Sequence, residues 1–286
     1  MEKSRRTLAG TRCRNTEFRW GERTYVMGVI NLSPDSFSGD GLGDDIEAIV
    51  AQARRFVAEG ADILDVGGES TRPGTRPKSA ESIEEELRLV VPAIARLARE
   101  VPVPLSVDTY KSEVASRAVE VGANMINDIW GLKRDPDIAR VAAAAGVPLL
   151  LMSNQRDAPS PDIMAELVAD LTRAIRQAME AGVPGENIII DPGIGFGKSL
   201  KQNLEIIRRL AELKSLGRPI LLGTSRKSMI GLTLDLPLDQ RVEGTAATVA
   251  IGIAHGADMV RVHDVAQMVR VSRMSDAIMR GVTNEL

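Results

Sequence analysis

Short apolar runs alternate with longer amphipathic stretches along most of the chain. The short runs are nearly continuous in valine, isoleucine and leucine, which is typical of parallel strands buried on both faces. The longer stretches repeat apolar residues at three- and four-residue spacing, as in "DDIEAIVAQARRFVAEGA", which predicts amphipathic helices that end near a glycine. The predicted strands span residues 25–31, 62–67, 103–109, 124–129, 147–152, 187–191, 219–224 and 258–263.

Eight strand-then-helix units predict an α/β fold of the (β/α)8 TIM barrel type, because an all-parallel sheet of that size with right-handed crossovers can close. A doubly wound open sheet is the alternative. Residues 1–24 precede the repeat, and their segment "FRWGERTY" is typical of a β-hairpin with Gly21 in its turn, placed to plug the bottom of the barrel. No linker interrupts the pattern, so we expect one domain over residues 1–286, with the barrel in residues 25–286.

Composition excludes several functional classes. The 286 residues are 44% hydrophobic and 26% charged, which is ordinary for a soluble globular protein, and the net charge of −3 provides no basic surface for nucleic acid or membrane. The single cysteine, Cys13, excludes an intramolecular disulfide framework, and no apolar run resembles a signal peptide or a membrane span. We therefore expect a cytoplasmic protein.

Polar or adaptable side chains follow nearly every predicted strand. The carboxyl ends of barrel strands meet at one mouth, where barrel enzymes keep their chemistry. A single aspartate at such a place is more often a helix cap or a turn residue, but so many polar ends at one mouth favour a ligand site. These residues are Asn31, Asp65, Asp108, Asn127, Met152, Asp191, Ser225, Lys227, Arg261 and His263.

The acidic and amide groups predict a flat heterocycle that carries several N–H donors. A carboxylate accepts two parallel bonds from a two-donor edge, and an asparagine matches a mixed edge. Because only 3% of the residues are aromatic, the Arg261 guanidinium is the candidate to stack on the ring, while Ile129, Met152 and Phe196 could form apolar walls. Cations on the opposite rim predict a phosphate group at the other end of the ligand. They are Arg72, Lys227, Arg261 and His263.

The segment "NIIIDPGIGFGK" at residues 187–198 combines a buried strand, a carboxylate and a glycine-rich turn. It lacks both the P-loop ending and the dinucleotide-binding spacing, so it does not predict a nucleotide loop. We interpret its glycines as backbone that turns tightly and lies close to a flat ligand, while Asp191 accepts the donor edge of that ligand.

Two long loops, residues 31–43 and 67–79, are rich in glycine, serine and proline. Each contains one apolar group that we expect to be exposed, Phe37 in the first and Pro73 in the second. These groups are either accidental surface or parts of two lids that close over a second, aromatic substrate.

Seven motifs, in order from about residue 24 to residue 280, resemble the dihydropteroate synthase family of pterin-binding enzymes. They are "VMGVINLSPDSFSGDG", "ILDVGGESTRPG", "LSVDTYK", "INDIWG", "IIIDPGIGFGKS", "LLGTSRKSMIG" and "RVHDV". The resemblance implies a transferase of folate biosynthesis that joins 6-hydroxymethyl-7,8-dihydropterin diphosphate to 4-aminobenzoate and releases pyrophosphate. It also implies Mg²⁺ as the cofactor and a homodimeric assembly.

The same resemblance implies roles for individual residues. Those implied to contact the pterin are Asp108, Asn127, Ile129, Met152, Asp191, Phe196, Gly223, Lys227 and, stacked on its face, Arg261. Those implied at the diphosphate are Asn31, Arg72, Arg261 and His263, with Asn31 also on Mg²⁺. Those implied to frame the aminobenzoate are Phe37, Thr71, Arg72, Pro73, Lys227 and Ser228, and Asp35 would arrive with its loop. The implied catalytic residues are Asp65, Asp108, Lys227 and Arg261.

One motif departs from the family pattern. The family usually continues its fifth barrel strand as Leu-Met-His-Met, whereas "LLMSNQRDAP" has Ser153 and Asn154 where the histidine and methionine would lie. That histidine is not needed for the chemistry below, so we expect the change to affect the shape of the rim and the affinity for the pterin.

The implied reaction favours an ionisation-first substitution. Departure of pyrophosphate leaves a cation that the dihydropterin nitrogens can delocalise, so the demands on the protein are electrostatic. Asn31, Arg261 and His263, with Mg²⁺, would take up charge on the leaving group, while Asp65 and Asp108 lie where positive charge grows. Two alternatives remain, a catalytically silent relative that only binds pterin and a pterin-binding methyltransferase domain.

Overall fold

The computed structural model describes residues 8–33, 41–69, 81–156 and 162–281. A short antiparallel pair precedes a sheet in which all strands run parallel. The strands are β1 (Thr11–Cys13), β2 (Thr16–Phe18), β3 (Tyr25–Asn31), β4 (Ile63–Gly67), β5 (Leu105–Asp108), β6 (Met125–Asp128), β7 (Leu149–Met152), β8 (Ile188–Asp191), β9 (Leu221–Leu222) and β10 (Met259–Val262).

The parallel sheet closes on itself. Its strand order is β8-β7-β6-β5-β4-β3-β10-β9, and a single parallel bridge between Ile190 and Ile220 joins the two outer strands. The Ile190 N–H donates to the carbonyl of Pro219 at 3.0 Å at this seam. The TIM barrel predicted from the sequence is confirmed, and the open-sheet alternative is excluded.

Helices surround the barrel between successive strands. Local capping sets several of their starts: the Asp45 side chain accepts from Ala48 N at 3.0 Å at the first helix, and Ser199 with Gln202 forms a capping box at the sixth. Within the described ranges, no helix combines the length and the apolarity that a bilayer span needs. The helices are α1 (Ile46–Ala58), α2 (Glu81–Glu100), α3 (Ser112–Glu120), α4 (Asp137–Ala145), α5 (Ile163–Glu180), α6 (Leu200–Arg208), α7 (Ser228–Leu234), α8 (Val242–Ala254) and α9 (Val265–Arg280).

Alternation along each barrel strand divides the core in two. Side chains at every second position, such as Val26, Leu64 and Val107, pack outward against the helices. The intervening positions point into the barrel, because successive strand side chains lie on opposite faces. The apolar members of this inner layer belong to a second cluster, and they are Met27, Ile63, Met125, Leu150, Ile189, Leu221 and Met259.

The predicted N-terminal hairpin is present, but its predicted turn is wrong. Thr11 pairs with Phe18 and Cys13 with Thr16, so the turn lies at residues 14–15. Gly21 lies beyond the second strand, in the bend that leads into β3. The expected plug is confirmed, because Cys13, Phe18 and Trp20 pack in the inner cluster at the amino-terminal end of the barrel.

Candidate active site

The polar strand ends form one layer inside the barrel. Except for Asp108, which follows Ser106, each lies two positions after an apolar residue of the inner cluster. The period of two that points Ile63 inward therefore also points Asp65 inward. The same step carries Met125 to Asn127, and Ile189 to Asp191. The inward layer that results at the carboxyl end contains Asp65, Asp108, Asn127, Met152, Asp191, Gly223 and Arg261.

Arg261 joins two buried carboxylates at the centre of this layer. Its Nε donates to Asp65 Oδ2 at 2.6 Å, and its Nη2 donates to Asp108 Oδ2 at 2.7 Å. Asn127 Nδ2 also donates to Asp65 Oδ2, at 2.9 Å. Because two of its nitrogens are held by different aspartates, the plane of the guanidinium is fixed across the mouth.

Two carboxylates share this one guanidinium, so they cannot both be ionised without cost. Burial raises the pKa of Asp108 to about 7; the Arg261 charge opposes the rise, and the neighbouring Asp65 adds to it. Asp65 is completely buried, and its Oδ1 has no hydrogen-bond partner among the residues that the structure describes. Asp108 can therefore change its charge near neutral pH.

Asp191 lies on the other side of Arg261. Its Oδ1 accepts a hydrogen bond from Gly193 N at 2.7 Å, and its Oδ2 faces Gly223, where an added Cβ would lie 3.9 Å from both that oxygen and Arg261 Cβ. Gly223 therefore leaves open space between the carboxylate and the arginine. Burial raises the pKa of Asp191, while the charge of Lys227 lowers it.

Lys227 completes this side of the mouth. Its ammonium donates to the carbonyl of Ile194 and lies 4.3 Å from the centre of the Phe196 ring. Burial lowers the pKa of Lys227 to about 8, and the charge of Asp191 opposes that change.

The predicted apolar walls form one cluster. Ile129, Met152 and Phe196 pack together, and Trp130 and Tyr110 join them. The Tyr110 and Trp130 rings meet edge to face, with centroids 6.3 Å apart. This cluster faces the same mouth as the carboxylates, so the site combines a polar side with an apolar side.

Two glycines of residues 192–198 allow a close contact between backbone segments. A Cβ on Gly193 would lie 2.0 Å from the Ser153 carbonyl oxygen, and one on Gly197 would lie 2.3 Å from Arg156 N. Both glycines have positive φ, +69° and +72°. At these two positions, a side chain would clash with the chain that follows β7.

The segment after β7 is a buried polar network. Ser153, Asn154 and Gln155 are each at most 1% exposed. Ser153 Oγ donates to Asp170 Oδ2 at 2.7 Å, and Asn154 Nδ2 donates to the Ile129 carbonyl at 3.0 Å. The departure from the family pattern is thus an internally bonded segment behind the aromatic wall.

The buried Asp170 at the centre of this network also carries two ion pairs. Lys133 Nζ lies 2.8 Å from its Oδ2, and Arg173 Nη2 lies 2.7 Å from its Oδ1. These cations lower the pKa of Asp170 against the effect of burial, so the carboxylate that holds Ser153 stays ionised.

The rim after β9 and β10 contains the remaining predicted polar groups. His263 Nδ1 and Ser225 Oγ are 3.0 Å apart, and the His263 N–H donates to the same oxygen at 3.1 Å. Asn31 lies half-buried at the end of β3, and Ser228 is exposed at the start of α7. Strand β10 lies between β3 and β9, so Asn31, His263 and Ser225 follow neighbouring strands.

Several sequence predictions fall outside the described residues. They concern Asp35, Phe37, Thr71, Arg72 and Pro73, together with the proposed lids that contain them.

Sequence reasoning missed three contributors to the site. Lys198 is 9% exposed and donates to the carbonyls of Ser153, Gly193 and Phe196. Trp130 belongs to the apolar wall, and its position directly after Ile129 in "INDIWG" was the available signal. The buried Ser153–Gln155 network gave no local signal, since a polar triplet after a strand also describes an exposed turn.

Comparison with known proteins gives consistent matches over most of the chain. The model of the family described as "Pterin binding enzyme" matches residues 27–263. The dihydropteroate synthase of Clostridium beijerinckii is 52% identical over 265 residues, which cover 92% of this chain and 97% of that protein. The Bacillus subtilis dihydropteroate synthase is 48% identical over 258 residues, 90% of each chain.

Solved structures give the same result. Dihydropteroate synthase from Clostridium difficile, crystallised in the presence of pteroic acid, superposes with a TM-score of 0.86 at 46% identity and covers 92% of this chain and 99% of that one. The Xanthomonas albilineans dihydropteroate synthase with 4-aminobenzoic acid superposes with a TM-score of 0.87 at 42% identity, over 97% of this chain and 100% of that one.

Proposed function

This chain belongs to the dihydropteroate synthases of the pterin-binding enzyme family, and we propose that its barrel mouth joins 6-hydroxymethyl-7,8-dihydropterin diphosphate to 4-aminobenzoate and releases pyrophosphate. One observation carries the assignment of the site. The residues that the resemblance gives to the pterin lie together at one barrel mouth, and they are Asp108, Asn127, Asp191, Lys227 and Arg261.

Recognition of the pterin would rest on Asp191 and Asn127. Gly193 N occupies one side of the Asp191 carboxylate, which leaves Oδ2 toward the open space beside Gly223. A carboxylate in that position suits the two-donor edge of the amino-pyrimidinone ring. Asn127 offers a mixed donor and acceptor, and one of its donors is already fixed by Asp65.

Arg261 would stack on the pterin. Its ion pairs with Asp65 and Asp108 hold the guanidinium plane before the substrate arrives, so little side-chain entropy is lost on binding. The carboxylates of this group would also stabilise positive charge as the carbon–oxygen bond to the diphosphate breaks. An oriented charge of this kind contributes roughly 3 kcal/mol to the transition state.

The leaving group would meet Asn31, Arg261 and His263. No group of three or more His, Cys, Asp or Glu side chains that could hold a metal ion occurs in the part of the chain that the structure describes. Mg²⁺ usually takes one or two protein oxygens together with substrate phosphates, so the amide oxygen of Asn31 fits an ion that arrives with the diphosphate. Bound there, Mg²⁺ would neutralise charge on the departing pyrophosphate.

The attacking amine needs no dedicated strong base. An arylamine attacks as the neutral species, and the protonated adduct is acidic enough to lose its proton to solvent. Lys227, whose pKa burial lowers to about 8, would instead contact the carbonyl side of the pterin and the aminobenzoate. We propose that the reaction proceeds by ionisation first, with the protein supplying orientation and charge.

We also propose a homodimer. Large apolar side chains are exposed on the adjacent helices α7, α8 and α9, and an unassociated protein rarely leaves so many in one region. Light scattering should give twice the chain mass, and Ile278→Glu should shift the protein to monomer. A wild-type monomer would contradict the assembly. The exposed residues are Leu232, Leu234, Ile251, Met274, Ile278 and Met279.

A cytoplasmic location is proposed with this function. The single cysteine, Cys13, is buried and unpaired, and burial raises the pKa of its thiol to about 12. A thiol in that state agrees with a reducing compartment but does not require one.

The decisive experiment incubates the purified protein with dihydropterin diphosphate, 4-aminobenzoate and Mg²⁺ and measures dihydropteroate and pyrophosphate. Equal amounts of both products are expected, with much less when Mg²⁺ is omitted. Pterin binding without product formation would identify a silent relative, the second candidate. This second candidate is worth testing because the family pattern is altered in the network of residues 153–155.

A further inference from the structure

We propose that Lys198 is a positioning residue of the pterin site. Its ammonium holds the loop of residues 192–198, which contains Phe196 and orients Asp191 and Lys227. The inference rests on the proposed pterin function. The Lys198 ammonium is buried and donates to three carbonyls, Ser153 at 2.8 Å, Gly193 at 2.9 Å and Phe196 at 3.2 Å. An ammonium has three N–H donors, so all three are used.

Three residues of this loop contact the site. Lys198 bonds directly to two of them, Gly193 and Phe196, and the third, Ile194, is next to Gly193 in the chain. Gly193 N donates to Asp191 Oδ1 at 2.7 Å, and Lys198 fixes the carbonyl of the same glycine. Ile194 accepts from the Lys227 ammonium. The Phe196 ring lies beneath that ammonium, and Lys198 fixes the Phe196 carbonyl.

Backbone bonds hold this loop in part: Phe196 N donates to the Gly193 carbonyl, and Gln155 N donates to the Phe196 carbonyl, both at 3.1 Å. Lys198 adds to these bonds in a segment that is rich in glycine. Gly193, Gly195 and Gly197 all adopt positive φ, and glycine loses more conformational freedom on ordering than any other residue. Asn203 provides a second anchor, since its Oδ1 accepts from Gly195 N at 2.7 Å. Asn203 Nδ2 also donates to the Lys198 carbonyl at 3.1 Å, so the two anchors are bonded to each other.

Lys198 also acts on Asp191 through charge. Its positive charge favours the ionised carboxylate and lowers the pKa of Asp191. Burial in turn lowers the pKa of Lys198 to about 7, and the charge of Asp191 opposes that change. The lysine therefore supports both the position and the charge of the proposed pterin acceptor.

The test compares Lys198→Met, which keeps the length of the side chain but removes its donors, with Lys201→Met, an exposed lysine on α6. Calorimetry measures the Kd of 6-hydroxymethylpterin for each variant and for the wild type. We expect Lys198→Met to weaken binding on the order of tenfold, with Lys201→Met unchanged. The pH at which pterin binding is half-maximal should also be higher in Lys198→Met, because Asp191 loses a neighbouring cation.

Pyrophosphate binding separates positioning from a general loss of structure. It should be unchanged in Lys198→Met, because two of the proposed diphosphate residues, Asn31 and His263, lie at the ends of β3 and β10, and neither strand is a neighbour of β8. Equal pterin affinity in folded Lys198→Met and wild type overturns the inference, as does a parallel loss of pterin and pyrophosphate affinity. A wild type that binds no pterin would instead overturn the proposed function.

Asn203→Ala keeps the inference testable if Lys198→Met does not fold. It frees Gly195 N and loosens the same loop without removing a charge. We expect weaker 6-hydroxymethylpterin binding with pyrophosphate binding retained. Unchanged pterin affinity in folded Asn203→Ala means that the loop does not position the site, and it overturns the inference.

Discussion

Gly193 and Ser153 lie so close that no side chain fits between them. A Cβ on Gly193 would lie 2.0 Å from the Ser153 carbonyl oxygen, and the Lys198 ammonium donates to the carbonyls of both residues. The loops after β7 and β8 are therefore packed backbone to backbone. This contact helps to fix the orientation of Asp191, which lies two residues before Gly193.

Gly193→Ala should lower both stability and pterin affinity. It combines the positive-φ strain of a non-glycine residue, about 1–2 kcal/mol, with a clash that must displace one loop. Gly217→Ala is the matched control, because Gly217 has a similar φ of +64° and an added Cβ there meets nothing within 4 Å. Urea unfolding should show the larger loss of unfolding free energy for Gly193→Ala. Equal losses of unfolding free energy in Gly193→Ala and Gly217→Ala would show that the contact with Ser153 adds no cost.

Asp191→Asn should weaken binding of 6-hydroxymethylpterin roughly tenfold or more. Gly193 N requires an acceptor on its side, so the asparagine oxygen stays there and the amide nitrogen replaces Oδ2. That places a donor against the donor edge of the pterin. Calorimetry provides the measurement, with Asp258→Asn as control, since Asp258 bonds Ile220 N at the opposite end of the barrel. Wild-type affinity in Asp191→Asn would remove this residue from the site.

His263→Ala should weaken pyrophosphate binding and leave the affinity for a pterin without phosphate unchanged. The reason is that His263 follows β10 beside Ser225, on the proposed diphosphate side. The other histidine, His255, donates from Nδ1 to the Ile207 carbonyl on the outer face, so His255→Ala is the control. Equal losses for pyrophosphate and pterin in His263→Ala would assign the residue a structural role.

The stability of the protein should fall as Asp108 ionises. Its folded pKa, about 7, lies above the unfolded value of about 3.9, so the folded state binds more protons between these values. This contribution is present at low pH and is lost as the pH rises through about 7. Between pH 5 and pH 8, the wild type should lose roughly 2 kcal/mol of unfolding free energy relative to Asp108→Asn. Urea unfolding across this range provides the measurement, and parallel curves for the two proteins would show that the folded pKa is not raised.

Local sequence patterns by themselves determined the fold class and the positions of the polar residues at the strand ends. A period of two along each strand fixes which residues point into the barrel, and counting two positions from Ile63 or Ile189 reaches Asp65 or Asp191. Such alternation depends only on neighbours in the chain. The barrel and the polar layer at its mouth could therefore be predicted without coordinates.

Only the tertiary structure decided which groups pair and why the glycines are there. Arg261 joins Asp65 to Asp108 because three strands from distant parts of the chain meet across the barrel. Gly193 approaches Ser153 because the parallel register places Met152 beside Asp191. The residues that directly follow the two strands are therefore brought into contact. Register and closure come from packing between elements, so no pattern within either segment could reveal these contacts.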